Sequence, residues 1–168
     1  FGMVTPGMGE NELIWPTRST RVSDYVRMRD KHPITGEPRM HRGIDIGAYL
    51  YGIEGDIIVA AADGVVSQIG YQEGKTGAGH YISINSEING KQILTRYFHL
   101  QKDSTTVEVG NMVYSGQEIA KMGSTGGSTA AHLHFEIWES TNGKKVKIDR
   151  SNAQFIEPLD YFQQYDIR

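Results

Sequence analysis

His132-Leu133-His134-Phe135-Glu136 alternates polar and apolar residues without a break, and Ile137 continues the pattern. A period of two is that of a strand with one buried face. Side chains two apart on a strand share a face. His132, His134 and Glu136 therefore point one way, and Leu133, Phe135 and Ile137 the other. Two imidazoles on one strand face lie roughly 6–7 Å apart, close enough to serve one metal ion or one reacting centre. A pair of exposed strand histidines is the plainer alternative.

Outward from this stretch, glycines punctuate other short extended segments. Residues 57–61, 64–69, 80–85, 92–100, 118–122 and 131–138 read as strands separated by turns, and there are 20 glycines in 168 residues. Strands at that spacing indicate an all-β domain. Helical signals are few; Pro158-Leu159-Asp160-Tyr161-Phe162 suits a short helical turn. The first dozen residues hold three glycines and one proline, so residues 1–14 read as a mobile lead-in and 15–168 as one domain.

Composition narrows the function. Net charge is −3, from 17 basic and 20 acidic residues, which argues against nucleic acid as the main partner. No apolar run approaches the ~18 residues of a membrane span. Cysteine is absent, so a thiolate metal site is excluded. The chain starts at Phe1 with no signal-peptide pattern and reads as a mature form or an excised domain.

Two further segments carry chemistry. His41-Arg42-Gly43-Ile44-Asp45 holds a histidine and a carboxylate four apart, both zinc donors. A helix would set them on one face, but Pro33, Pro38, Gly43 and Gly47 oppose a helix here. A flat strand would hold them about 13 Å apart, too far for one ion. A shared ion requires the chain to bend at Arg42-Gly43, and glycine permits a bend. The third segment, Thr95-Arg96-Tyr97-Phe98-His99-Leu100, reads as a strand ending in a histidine. Strand alternation would give Tyr97 the face of His99, so its hydroxyl could approach a site; a core tyrosine is the alternative.

The ordered set resembles the lysostaphin-type zinc metallopeptidases, which cut peptide bonds in bacterial peptidoglycan. It comprises His41 and Asp45, then Tyr97, His99 and Leu100, then Ser124-Thr125-Gly126 leading into His132-Leu133-His134-Phe135-Glu136. His32-Pro33-Ile34-Thr35-Gly36 and Ala60-Ala61-Ala62-Asp63-Gly64-Val65-Val66 are similar to that family as well, and the similarity runs from about Trp15 to Trp138. The resemblance implies antiparallel sheets with the site in a groove floored by strands and walled by loops. It implies one Zn2+ per chain held by His41, Asp45 and His134; spacing alone does not choose between His132 and His134. His99 and His132 then remain for proton transfer, since an imidazole titrates near neutral pH. No His-Glu-x-x-His helix is present, so a glutamate base of the thermolysin type is missing. Glu136 could orient a ligand or pair with a cation on the next strand.

Other features carry less. Residues 123–129 resemble a phosphate cradle but lack the lysine and the following helix, so they read as a turn walling the groove. His32 and His80 read as structural or surface histidines. Arg29 stands one residue from the arginine position expected in the family and receives no role. Residues 24–42 carry Arg27, Arg29, Lys31, Arg39 and Arg42 against Asp24, Asp30 and Glu37, a local excess of basic charge in an acidic chain. An arginine there could bind the carboxylate of diaminopimelate.

The expected function is a zinc endopeptidase acting on peptidoglycan cross-links, with a D-alanine–diaminopimelate bond preferred to a glycine bridge. The expected location is extracellular, in the cell wall or periplasm, or in a phage virion. The alternative is a non-catalytic wall-binding or scaffold module of the same fold in a phage-tail or envelope assembly.

Overall fold

The computed structural model describes residues 13–30, 34, 36 and 38–162. The expected lead-in falls almost wholly outside the described residues, as does His32.

The described residues form twelve strands. They are β1 (Val22–Asp24), β2 (Arg27–Arg29), β3 (Arg39–His41), β4 (Ile44–Gly47), β5 (Ile57–Val59), β6 (Gly64–Gln72), β7 (Gly79–Ile88), β8 (Lys91–Leu100), β9 (Met112–Val113), β10 (Glu118–Lys121), β11 (His132–Ser140) and β12 (Ala153–Ile156). The only helical element among them is a 3-10 turn at Pro158–Asp160, where the Glu157 carboxylate accepts from the Leu159 amide. The expectation of an all-β domain of antiparallel sheets holds. The six extended segments expected between the glycine turns correspond to β5, β6, β7, β8, β10 and β11. The other six strands have two to four residues.

The main sheet runs β1-β4-β11-β8-β7-β6-β9, and β12 pairs with the far half of β11. Every pairing is antiparallel. The long β7–β8 hairpin closes through Asn89-Gly90, both at positive φ (50° and 81°), the conformation a two-residue hairpin turn requires. Two small sheets, β5–β10 and β2–β3, complete the fold.

One face of the main sheet is apolar. Ile44, Ile46, Ile82, Ile84, Tyr97, Leu133, Phe135 and Ile137 are wholly buried. They join Ile58, Ile119, Ala120 and Met122, from β5, β10 and the residue after it, in a single core cluster. Burying eight such side chains stabilises the sheet by roughly 1.5–3 kcal/mol each before the entropy of ordering them is counted. Asp45 of β4, Arg96 of β8 and His132, His134 and Glu136 of β11 fall on the opposite face, which floors a groove. No helix among the described residues is long and apolar enough to cross a membrane.

Candidate metal centre

Strand register lines up the site. Asp24 on β1 faces Asp45 on β4, Asp45 faces His134 on β11, and His134 faces Phe98 on β8. His41 enters from β3, after which the chain turns through Arg42-Gly43 into β4. Glycine is needed at 43 for a reason the sequence did not show. A Cβ there would lie 2.3 Å from the Phe135 carbonyl oxygen, so the turn is pressed against β11. The bend brings His41 Nε2 to 3.2 Å from Asp45 Oδ1.

His134 Nδ1 lies 3.1 Å from His41 Nε2 and 3.0 Å from Asp45 Oδ1. Points equidistant from these three atoms begin at about 1.8 Å in their plane and reach about 2 Å just off it, the length of zinc bonds to imidazole and carboxylate. The opposite ring edges fix the tautomers. His41 Nδ1 donates to the Tyr25 carbonyl oxygen at 2.9 Å, which leaves Nε2 an acceptor. His134 Nε2 donates to Glu136 Oε2 at 2.8 Å, which leaves Nδ1 an acceptor. With each ring carrying only that one proton, three acceptors converge, a set suited to a cation. The residues fit a zinc ion: two nitrogens and one carboxylate oxygen, with ligand-orienting bonds behind both imidazoles.

The electrostatics agree. Burial pushes the Asp45 carboxyl up, but the His134 and His41 imidazoles, which donate to it when they carry a second ring proton, overcome this and hold it well below the usual range. Burial pulls His134 down, yet its bonds to Asp45 and Glu136 carry it up to about 9. The spot beside His134 Nδ1 attracts positive charge, and a proton and a metal cation would compete for it. Glu136 also accepts from Trp138 Nε1 at 2.8 Å and lies 3.8 Å from Arg96. Both readings of Glu136 therefore describe its surroundings: it orients His134 and pairs with a cation across the strand.

His99 and His132 flank the three convergent groups. Their ring centroids are 4.6 Å apart. His99 Nδ1 donates to the Thr125 carbonyl at 2.7 Å. Burial, aided by the charges of His132 and His134, pulls His99 down to about 3 and keeps it neutral. His132 Nδ1 lies 2.9 Å from the Ala130 carbonyl, and its Nε2 lies 3.7 Å from Asp45 Oδ1. All five histidine and aspartate side chains line one groove of about 880 Å³.

Tyr97 does not approach the site. It is wholly buried, and its hydroxyl accepts from the Ala61 amide at 2.9 Å and bonds Thr95 Oγ1. Simple alternation fails because β8 bulges. His80 pairs with Leu100 and Ile82 with Tyr97, so β8 spends one residue more than β7 over this interval. His99 takes φ 64° there and swings to the groove face, while Tyr97 stays in the core.

The turn at 123–129 is part of the wall. Thr125 Oγ1 donates to the Leu100 carbonyl, the Thr125 carbonyl holds His99, and Gly127 and Ser128 line the groove. His80 packs on Tyr71, with ring centroids 4.5 Å apart, and is not among the groove-lining residues. Arg29, which receives no role from the sequence, contacts two carboxylates. Its Nη2 is 2.6 Å from Asp24 Oδ2 and 3.0 Å from Asp45 Oδ2. Its signal in the sequence was only the alternating arginines of Arg27-Met28-Arg29.

A groove in an antiparallel sheet, with a buried His, Asp, His set and two more histidines beside it, defines a metallopeptidase-type domain. Residues 39–148 match Peptidase family M23, and the chain belongs to that family. It is 37% identical over 122 residues to the peptidoglycan DD-endopeptidase ShyC of Vibrio cholerae, covering 73% of this chain and 25% of that protein. It is similar to the crystal structure of a zinc-containing peptidase from Vibrio cholerae, with TM-score 0.61 and 31% identity over 77% of this chain and 37% of the other. It is also similar to the catalytic domain of lysostaphin from Staphylococcus simulans, with TM-score 0.59 and 29% identity over 83% and 88% of the two chains. The chain spans about a quarter of the length of the curated relatives it matches.

Proposed function

We propose that this chain is a zinc metalloendopeptidase that hydrolyses peptide cross-links of bacterial peptidoglycan, with His41, Asp45 and His134 holding one Zn2+ and His99 and His132 handling protons. The observation that carries this reading is the convergence of two imidazole nitrogens and a carboxylate oxygen within 3.2 Å of one another in a groove of about 880 Å³. A zinc ion held there would polarise a peptide carbonyl and acidify a water molecule. His99, with its Nδ1 hydrogen committed to Thr125, offers Nε2 as an acceptor that orients the attacking water. His132, held by Ala130 and facing Asp45, is placed to carry a proton to the leaving amine. Loop 123–129 fixes His99, and its edge along the groove suits an extended peptide.

The preferred bond is a D-alanine–diaminopimelate cross-link. The relationship to a protein named as a DD-endopeptidase supports this, since that bond joins two D-centres. Arg27 and Arg29, which the charge pattern offered as carboxylate binders, are engaged by Asp24 and Asp45. Arg39 and Arg42 remain, both exposed and lining the groove. Such a substrate places the protein outside the cytoplasm, in the wall or periplasm. A non-catalytic wall-binding or virion module has no need of all five groups, and their joint presence favours the enzyme. Purified protein with one equivalent of Zn2+ should release cross-linked stem peptides from cell walls. Stoichiometric zinc without any cleavage would favour the binding module.

A further inference from the structure

Asp24 and Asp45 stand directly opposite each other across β1 and β4. Like charges so placed repel. Arg29 reaches in from β2 and touches both: Nε and Nη2 lie 2.8 and 2.6 Å from Asp24 Oδ2, and Nη2 lies 3.0 Å from Asp45 Oδ2. Arg27 takes the other Asp24 oxygen at 2.7 Å. Asp24 thus holds both arginines, and Arg29 is shared between Asp24 and Asp45. The two oxygens of Asp45 have separate partners. Oδ2 faces Arg29, while Oδ1 faces His41, His134 and, further off, His132. The arrangement is enclosed, with the Arg29 and Asp45 side chains only 13% and 14% exposed.

We propose that Arg29 is a positioning residue for the metal centre: by occupying Oδ2 it makes Asp45 a one-oxygen ligand and keeps a coordination position free for water or substrate. This rests on the reading of His41, Asp45 and His134 as metal ligands. A carboxylate can bind an ion through one oxygen or both, and a catalytic zinc site needs three protein ligands and an open position. A free Oδ2 beside a divalent cation would be drawn into coordination and fill that position. The planar fork of arginine contacts two carboxylates at once, which a single ammonium matches poorly.

The test uses Co2+, whose visible absorption is strong with four ligands and weak with five or six. The parent chain should bind one Co2+ and absorb strongly. Arg29→Gln should still bind it, with at least about a twofold loss of intensity as the second oxygen enters, because coordination geometry sets the spectrum. Arg29→Lys should recover part of the intensity. A residue that only fastens β2 to the sheet would lower the melting temperature and leave the spectrum alone. A folded Arg29→Gln protein with the parent spectrum overturns the proposal. Should that variant not fold, Asp24→Asn serves instead. It leaves Arg29 on Asp45, so the spectrum should keep its intensity, and a twofold fall would overturn the proposal. Failure of the parent to bind Co2+ would overturn the metal-site reading itself, a separate outcome.

Discussion

The Glu136 carboxylate lies 2.8 Å from Nε2 of His134, on the ring edge opposite the nitrogen that faces Asp45. It fixes both the tautomer and the tilt of that imidazole. Glu136→Gln keeps the shape but removes the charge. Zinc affinity should fall about 10- to 100-fold, the usual effect of removing a carboxylate behind a ligating histidine. Competition with a chelating dye measures this, and parent-like affinity would reduce Glu136 to a strand ion pair with Arg96.

His134→Ala and His41→Ala should each lose most of the metal, since two donors remain where three are needed. Metal content after dialysis is the measurement. Because the ion would bind only the folded chain, chelation should also lower the parent's melting temperature. A His134→Ala protein that keeps one zinc per chain would show that another group, with His132 the nearest, is the ligand.

His99→Ala and His132→Ala should retain zinc and lose turnover by about a hundredfold or more, the scale of positioned proton transfer. Mass spectrometry of released wall peptides gives the rate. Zinc lost from His132→Ala would move that residue into the metal set, and normal turnover in either variant would remove it from the chemistry.

Tyr97→Phe should cost stability and leave turnover unchanged. It deprives the buried Ala61 amide of its acceptor, a loss of roughly 1–3 kcal/mol for an unsatisfied buried donor. Denaturant midpoints and peptide release measured on the same sample separate the two effects. A large drop in turnover with unchanged stability would return Tyr97 to the site.

Gly43→Ala should be worse than its size suggests. The added methyl meets backbone at 2.3 Å, so β3 and β4 must shift apart from β11, at about 1–3 kcal/mol for overpacking. The same shift separates His41 from Asp45. Melting temperature and zinc affinity should fall together; unchanged affinity would mean that the bend is set by other contacts.

Offered both cross-link types, the protein should cleave D-alanine–diaminopimelate and spare pentaglycine. Arg42→Ala should raise KM more than it lowers kcat if that guanidinium holds the substrate carboxylate. Cleavage of pentaglycine alone would overturn the bond preference without touching the zinc chemistry.

The sequence by itself determined the all-β class and the shared face of His132, His134 and Glu136, while its ordered motifs carried the resemblance that implied the family and antiparallel sheets. The shared face rests on local pattern: a period of two survives folding wherever one strand face is buried, as β11 buries Leu133, Phe135 and Ile137. The tertiary structure alone decided distances between separate segments. It folded His41 to within 3.2 Å of Asp45 by pressing Gly43 on Phe135. It turned His99 out of register through a bulge that β8 shows only when paired with β7. It also set Arg29 between two aspartates that β1 and β4 bring face to face. Such contacts depend on how strands pair, and pairing between distant segments leaves no period in the chain to read.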